Sequence, residues 1–313
     1  MRHFFCILIL ILILSSCKSH SNIIQYKTVD NNVVSIDSAA EFGALLVQNS
    51  YNLHSGKIIF DRPLFSIGKC SFCWSKLKGI KLPNTIKEIG SASFCFCERL
   101  KRIDIPSNVT HIGHDAFCSC FDLKKINIPQ RINKIESSTF IACAFKSIKL
   151  PNHLDSIGDF AFMYCRNLKK IIIPNSVVYI GVNAFDGTAL EYVSLPDSLE
   201  TIKDNCFSCC DLKSIHLPSC LRAIGNDAFR HNRELKEVII PEGVDSIGDY
   251  AFADCKKLRT VKLPRSLKYV GINAFKRCPN LKDLELPNGI TYIEEEDIYD
   301  TDTIASTPYT KIE

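Results

Sequence analysis

A proline recurs along this 313-residue chain at intervals of 22 or 23 residues. Ten of the thirteen prolines keep this register: Pro83, Pro106, Pro129, Pro151, Pro174, Pro196, Pro218, Pro241, Pro264 and Pro287. The surrounding pattern is L-K-x-I-x-L-P-x-x-L-x-x-I-G-x-x-A-F-x-x-C, which residues 235–255 show clearly. A regular period of this length predicts a repeat protein, in which each unit buries its apolar residues against its neighbours.

The spacing within a unit predicts its local structure. Ile171 and Ile173 alternate with outward positions before Pro174, as in a β-strand, and proline ends the strand because it cannot donate to the ladder. A second inward group, such as Val178 and Ile180, follows. Polar residues two positions before the motif Phe suggest N-caps of a single helical turn: these are Asp115, Asn183, Asn205, Asp227 and Asn273. We therefore expect one parallel strand per turn, with short turns elsewhere.

The combination of L-P and I-G-x-x-A-F-x-x-C at this period resembles the leucine-rich repeats of the BspA-like surface-antigen family over about residues 58–293. The resemblance implies an α/β solenoid, a right-handed superhelix of mostly strand and loop with its parallel sheet on the concave face. It also implies adhesion to host matrix or plasma proteins such as fibronectin or fibrinogen. The first turn is degenerate and is expected at Ile58-Ile59-Phe60.

The two ends of a solenoid need covering, since they would otherwise expose core and strand edge. Ser38 and Glu41 form a capping-box pattern before an apolar stretch, which predicts a short N-terminal capping helix over residues 38–49. Six acidic residues between Glu294 and Asp302 predict an acidic cap or a frayed end. The expected divisions are a signal peptide over 1–16, a lipidated N-terminus and cap over 17–55, a solenoid of about ten turns over 56–293, and an acidic tail over 294–313.

The N-terminus has the pattern of an export signal. Arg2 precedes eleven apolar residues from Phe4 to Leu14, too few to span a bilayer but typical of a signal-peptide core. The run closes with Ser15-Ser16-Cys17, which resembles the lipobox of bacterial lipoproteins. That resemblance implies a diacylglycerol on Cys17 and anchoring in the outer membrane, since no Asp follows Cys17; which face the protein occupies stays open. An ordinary signal peptide with a chance cysteine is the alternative.

Most of the sixteen cysteines fall into two columns. Three residues after each motif Phe lies a small side chain expected to bond with backbone in the loop: Ser75, Cys97, Cys120, Cys143, Cys165, Thr188, Cys210, Asn232, Cys255 and Cys278. Cys73, Cys95 and Cys118 directly follow that Phe on three consecutive turns. Adjacent turns place equivalent Cα atoms about 4.8 Å apart, which is within disulfide range. A disulfide, a metal site that includes Cys70, and unpaired thiols all stay open.

Sequence signatures of catalysis are missing. The chain has no Gly-rich phosphate loop, no H-E-x-x-H and no G-x-S-x-G. His111 and His114 flank a turn and are expected to be surface histidines. A net charge of +4 is too evenly spread for a nucleic-acid binder. We predict a monomer that is not an enzyme, with no catalytic residue, cofactor, metal or nucleic-acid partner.

The predicted function therefore rests on surface residues. Outward strand positions vary strongly between repeats and form the predicted ligand-binding face: Lys149, Ile172, Tyr192, Ser194, His216, Ile239 and Lys262. A basic rim beside them, which would steer an acidic protein partner, consists of Lys101, Lys124, Lys146, Lys169, Lys213 and Lys236. These lysines could equally be repeat consensus whose stems cover apolar edges. A glycan-binding or uptake accessory lipoprotein and a structural envelope component are the alternative functions.

Overall fold

The computed structural model describes residues 21–36, 41–282, 284–287 and 290. In chain order the strands are β1 (Ile23–Thr28), β2 (Leu46–Asn52), β3 (Ser55–Phe60), β4 (Ser66–Ile67), β5 (Leu77–Lys81), β6 (Glu88–Ile89), β7 (Arg102–Asp104), β8 (His111–Ile112), β9 (Lys125–Asn127), β10 (Lys134–Ile135), β11 (Ser156–Ile157), β12 (Lys170–Ile172), β13 (Tyr179–Ile180), β14 (Tyr192–Ser194), β15 (Thr201–Ile202), β16 (Ala223–Ile224), β17 (Glu237–Ile239), β18 (Ser246–Ile247), β19 (Thr260–Lys262) and β20 (Tyr269–Val270). None of the residues in these ranges is helical.

The repeats form a parallel β-solenoid of about nine turns, which confirms the predicted fold. Strands that precede the prolines pair in register between neighbouring turns, as Ile171 does with Val193, except at Pro151 and Pro218, where no strand of this series forms. A second series of two-residue strands precedes the glycines and pairs in the same way, as Ile157 does with Ile180. The expectation of one strand per turn was therefore wrong, because the short I-G segment also forms a ladder. We call the two series the first and the second sheet.

Glycine lets adjacent turns approach closely along the second sheet. A Cβ added to Gly181 would lie 2.5 Å from the backbone nitrogen of Asp159 on the preceding turn, closer than real contacts allow. With no side chain in the way, the Gly181 amide donates to the carbonyl of Ile157 at 2.9 Å. Glycine thus favours the close approach of this second ladder, although the ladder also forms where Glu136 and Lys203 replace glycine.

A column of stacked phenylalanine rings runs through the core. The rings of adjacent turns lie with centroids 5.1 to 5.8 Å apart. The column consists of Phe72, Phe94, Phe117, Phe140, Phe162, Phe185, Phe207, Phe229, Phe252 and Phe275. The inward assignment of Ile171, Ile173 and Ile180 is confirmed, whereas Val178 is 64% exposed and Val177 is buried in its place. The second apolar pair is therefore spaced by three residues, not two.

The turn before each Phe is not a helical turn. Asp115 and Asn183 have φ angles of 56° and 55°, and the other three predicted N-caps, Asn205, Asp227 and Asn273, share this left-handed conformation. An N-cap has an extended backbone instead. Asn and Asp adopt left-handed angles more readily than most residues with a side chain, which explains why they recur here.

The N-terminal cap is an antiparallel sheet instead of the predicted helix. Strand β1 lies between β3 and β5, with Ile24 opposite Ile58 and Tyr26 opposite Ile80. Strand β2 pairs with β3 over residues that the helix prediction for 38–49 includes, so that prediction was wrong; residues 37–40 lie outside the described ranges. The expected first repeat strand, Ile58-Ile59-Phe60, belongs to this cap. The arrangement covers the edge of β5, which would otherwise present unpaired backbone groups.

Side-chain hydrogen bonds within the cap explain why this segment forms a strand and not a helix. The Tyr26 hydroxyl donates to Asn49 Oδ1 at 2.8 Å and accepts from the Val34 amide at 3.2 Å. Asn49 Nδ2 donates to the Val34 carbonyl at 2.9 Å. These contacts join residues distant in sequence, which a local capping-box pattern cannot reveal. The predicted signal peptide, Cys17 and the acidic tail all lie outside the described residues, and within the described ones no apolar helix has the length of a membrane span.

Candidate binding face

The outward side chains of the first sheet form an open surface, which we call the strand face. Five of the predicted binding residues are outward residues of its strands: Ile172, Tyr192, Ser194, Ile239 and Lys262. The other two, Lys149 and His216, occupy the equivalent positions on turns where this segment forms no strand, and they continue the face there. Of the seven, six are exposed and Ser194 is half-buried. Strand alternation produces this arrangement, since Ile172 points outward between the buried Ile171 and Ile173.

Two branched aliphatic side chains on this face are exposed to solvent. Ile172 is 60% exposed and Ile239 is 59% exposed. They lie three turns apart, which corresponds to about 14 Å at the spacing of neighbouring strands. Tyr192 is exposed beside them, and the Lys170 ammonium lies 5.3 Å from its ring centroid. The face therefore combines apolar area with a cation at its centre.

The basic rim is less uniform than its sequence suggests. All six lysines are exposed: Lys101, Lys124, Lys146, Lys169, Lys213 and Lys236. Glu191 occupies the same column and accepts from Lys169 at 2.8 Å and from Lys213 at 2.6 Å. Hydrogen bonds from these two lysines lower the pKa of Glu191 to about 2. One carboxylate thus shares two ammonium groups in the middle of the rim, and the positive charge is concentrated toward its two ends.

A notch in the loop edge was not foreseen from the sequence. The loop at Ala144 is one residue shorter than the loops on both neighbouring turns. The missing residue leaves a cavity of about 360 Å³, lined by Phe121, Ala142, Cys143, Ala144, Tyr164, Arg166 and Asn167. Phe121 and Tyr164 are both exposed there, and the Arg166 guanidinium lies 5.8 Å from the Tyr164 ring centroid. The 22-residue spacing was the available signal, since a shorter loop between longer ones must open a gap.

The inner cysteine column is bonded to backbone. Each thiol donates to the carbonyl of the motif Phe on the preceding turn at 3.0 to 3.4 Å: Cys97, Cys120, Cys143, Cys165, Cys210, Cys255 and Cys278. Asn232 fills the same position and donates to Phe207 and Phe229. Burial raises the pKa of four of these thiols to about 12: Cys97, Cys165, Cys210 and Cys278. The column consists of neutral donors that satisfy loop carbonyls.

The outer column of Cys73, Cys95 and Cys118 is different. These thiols form no disulfide in the structure, and they interact electrostatically along the column. Within the described ranges, no group of three or more His, Cys, Asp or Glu side chains is placed to hold a metal ion. The metal site with Cys70 that the sequence left open therefore has no support in this part of the chain.

Comparison with known proteins identifies the repeat. The model of the BspA type leucine-rich repeat region matches in six copies, over residues 47–166, 133–233 and 201–311. A leucine-rich repeat protein from Bacteroides ovatus ATCC 8483 is 31% identical, with 68% of this chain and 78% of that chain covered at a TM-score of 0.50. The pneumococcal vaccine antigen PcpA is 24% identical, with coverages of 66% and 55% and a TM-score of 0.43. No curated protein matches the chain. The family match spans most of the sequence, and the chain belongs to the BspA-type leucine-rich repeat family.

Proposed function

We propose that this chain is a non-enzymatic cell-envelope lipoprotein, anchored through Cys17, that binds a protein ligand on its strand face. The observation that carries the proposal is the exposure of Ile172 and Ile239 in the middle of a polar sheet surface. Exposed apolar side chains rimmed by polar ones suit the centre of an interface. The resemblance to surface antigens supports a host matrix or plasma protein as the ligand.

The strand geometry determines how many turns such a ligand must contact. Each strand offers two or three outward side chains, so a partner needs several turns to bury a useful area. Ile172, Ser194, His216 and Ile239 lie on four consecutive turns and together cross about 14 Å. A flat protein surface can cover that distance. The lysines at the ends of the rim would accelerate association with an acidic partner.

Two charges placed at the apolar positions test the binding face. The double variant Ile172→Asp and Ile239→Asp should abolish binding to immobilised fibronectin and fibrinogen, because the charges would be buried unpaired in the interface. Val178→Asp is the matched control, since Val178 is equally exposed but lies directly before a strand of the second sheet. Binding that survives the double change, with an unaltered circular dichroism spectrum, would place the site elsewhere. Failure of the wild type to bind either protein would exclude these two ligands.

Anchoring has its own test. Cys17→Ala should abolish incorporation of labelled fatty acid and release the protein from the membrane fraction, because the acyl chains supply the membrane affinity. Protease treatment of intact cells then distinguishes the outer surface from the periplasm. A variant that stays membrane-bound and is processed like the wild type would contradict the lipoprotein assignment.

A glycan ligand is the second candidate, and the loop notch favours it. Phe121 and Tyr164 offer exposed aromatic rings to a sugar, while Arg166 and Asn167 offer planar polar groups. Tyr164→Ala should then weaken binding to an oligosaccharide array at least tenfold. The double Asp variant of the strand face should leave such binding unchanged. An array on which the wild type shows no signal would remove this candidate.

A further inference from the structure

Three thiols are stacked on consecutive turns beside the phenylalanine column. The rings of Phe72, Phe94 and Phe117, each directly before one of these cysteines, are stacked with centroids 5.3 Å apart at both steps. The backbone amide that follows Cys73 donates to the carbonyl of Cys95 at 2.9 Å, and the amide that follows Cys95 donates to that of Cys118 at 2.8 Å. The main chains are thereby held at the separation that a disulfide between equivalent positions requires.

This backbone arrangement brings the three thiol side chains near one another. The thiol of Cys95 interacts electrostatically with the thiol of Cys73 on one side and with that of Cys118 on the other. Cys95 is buried, whereas Cys73 and Cys118 are half-buried and accessible from solvent. Cys73 and Cys118 themselves are two turns apart, about 10 Å, which exceeds the Cα separation of a disulfide. Only the two neighbouring pairs can form a bond.

The thiols of this column differ in their pKa. The hydrogen bond from Cys95 lowers the pKa of Cys118 to about 7, and the Ser119 hydroxyl, 3.6 Å from its sulfur, acts in the same direction. The same contact raises the pKa of Cys95, and burial adds to it. The Asp115 carboxylate opposes ionisation of both thiols. Near neutral pH, Cys118 is the nucleophile of the column, because the thiolate is the reactive form.

We propose that Cys73, Cys95 and Cys118 form a thiol–disulfide exchange site that is oxidised by a low-molecular-weight disulfide. The Cys118 thiolate attacks one sulfur of the small disulfide, forms a mixed disulfide and releases one thiolate. Cys95 then loses its proton to solvent, attacks the Cys118 sulfur and releases the second thiolate. Two protein thiols are oxidised and the small disulfide is reduced to two thiols. Cys73 can attack Cys95 in turn, which moves the disulfide by one turn and frees Cys118.

The chain contains matched controls for this chemistry. Cys209 and Cys220 are exposed, so a small disulfide can reach them. The equivalent positions on adjacent turns are Gly187 and His231 for Cys209, and Ser198 and Gly243 for Cys220. Neither exposed thiol therefore has a cysteine in register to complete the exchange. Both should stop at the mixed disulfide.

The test uses the full chain, reduced and then exposed to oxidised glutathione at pH 7.5, with disulfides located by non-reducing peptide mapping. The expected product carries a Cys95–Cys118 bond, with glutathione retained on Cys209 and Cys220. Cys95→Ser should leave glutathione on Cys118, and Cys73→Ser should leave the Cys95–Cys118 bond intact. The rate at Cys118 should rise with a midpoint near pH 7.

Two results would overturn the proposal. The first is a wild-type map with neither a Cys95–Cys118 nor a Cys73–Cys95 bond, in which Cys118 stays reduced or keeps glutathione as Cys209 does. The second is a disulfide between other cysteines that forms equally well in the Cys95→Ser variant. The wild-type map decides the question by itself if Cys95→Ser does not fold. Thermal unfolding of each variant shows whether that has happened.

Discussion

Asn232 occupies the position that holds cysteine on most other turns, and it makes more hydrogen bonds than those cysteines do. Its Nδ2 donates to the carbonyls of Phe207 at 2.7 Å and Phe229 at 2.8 Å, and its Oδ1 accepts from the Leu212 amide at 3.3 Å. Cys165 donates to the Phe140 carbonyl alone among the described residues. Loop groups in a buried solenoid edge have no water to bond with, so the number of bonds sets the cost of losing the side chain.

Asn232→Ala should therefore destabilise the protein by about 3 kcal/mol, because the Phe207 carbonyl and the Leu212 amide lose their hydrogen-bond partner, whereas the Phe229 carbonyl keeps the Cys255 thiol. Cys165→Ala should cost about 1 kcal/mol, since one thiol hydrogen bond is lost. Asn232→Cys should recover part of the loss, as cysteine fits the position elsewhere. Urea denaturation measures all three. Equal costs for Asn232→Ala and Cys165→Ala would contradict the role of the column as a set of backbone donors.

Glu191 gives a pH-dependent prediction. Its pKa in the folded state is about 2, below the ordinary value of 4.5, because Lys169 and Lys213 bond to its charged form. The ion pairs therefore stabilise the fold above pH 4.5, and their contribution is lost as the pH falls through about 2. Carboxyl NMR titration should find the Glu191 midpoint near 2 at low salt and closer to 4.5 in 1 M salt, since exposed pairs are screened. A low-salt midpoint near 4.5 would show that the pairs do not form.

At the scale of the element, each turn is held by one phenylalanine between two others. Phe185 is fully buried, and its ring stacks on Phe162 at 5.3 Å and on Phe207 at 5.4 Å. A repeat unit has contacts only with its neighbours, so a cavity in one turn weakens two interfaces. In the same unit, Val178 is exposed to solvent directly before the strand of the second sheet.

Phe185→Ala should cost about 3–5 kcal/mol, the range for a large buried ring. Val178→Ala is the matched control and should change the stability by less than about 0.5 kcal/mol, as other surface substitutions do. The two free energies of unfolding come from urea titrations of the purified variants. Comparable destabilisation by both changes would mean that the inward and outward positions of the repeat have been assigned incorrectly.

The elements differ in how far the sequence could predict them. The strands before the prolines and the phenylalanine core follow from a pattern repeated ten times, so single deviations such as Lys203 in place of glycine did not obscure them. The second sheet was missed because each of its strands has only two residues. The predicted N-caps failed because Asn and Asp are favoured both before helices and in left-handed turns, and the motif alone does not distinguish these roles.

At the scale of the whole molecule, the parts outside the repeat were the hardest to predict. Strand β2 (Leu46–Asn52) occurs once, and its pairing with β3 depends on residues that a capping-box pattern does not involve. The binding face could be predicted because alternation in a strand determines which side chains point outward. The electrostatics of this face could be predicted only in part. The repeat register places Glu191 in the column of lysines, but its two ion pairs could be identified only from the structure. The loop notch could be identified only from the relative positions of three turns in the structure.

Site-specific photo-crosslinking tests the central claim, that the strand face binds a protein, most directly. Benzoylphenylalanine would replace His216 on the strand face and, in a second protein, Val178 directly before a strand of the second sheet; both positions are exposed. Each protein is irradiated with purified fibronectin or fibrinogen. We predict a covalent adduct from position 216 and none from position 178. An adduct from position 178 alone would contradict the claim and place the ligand near the second sheet.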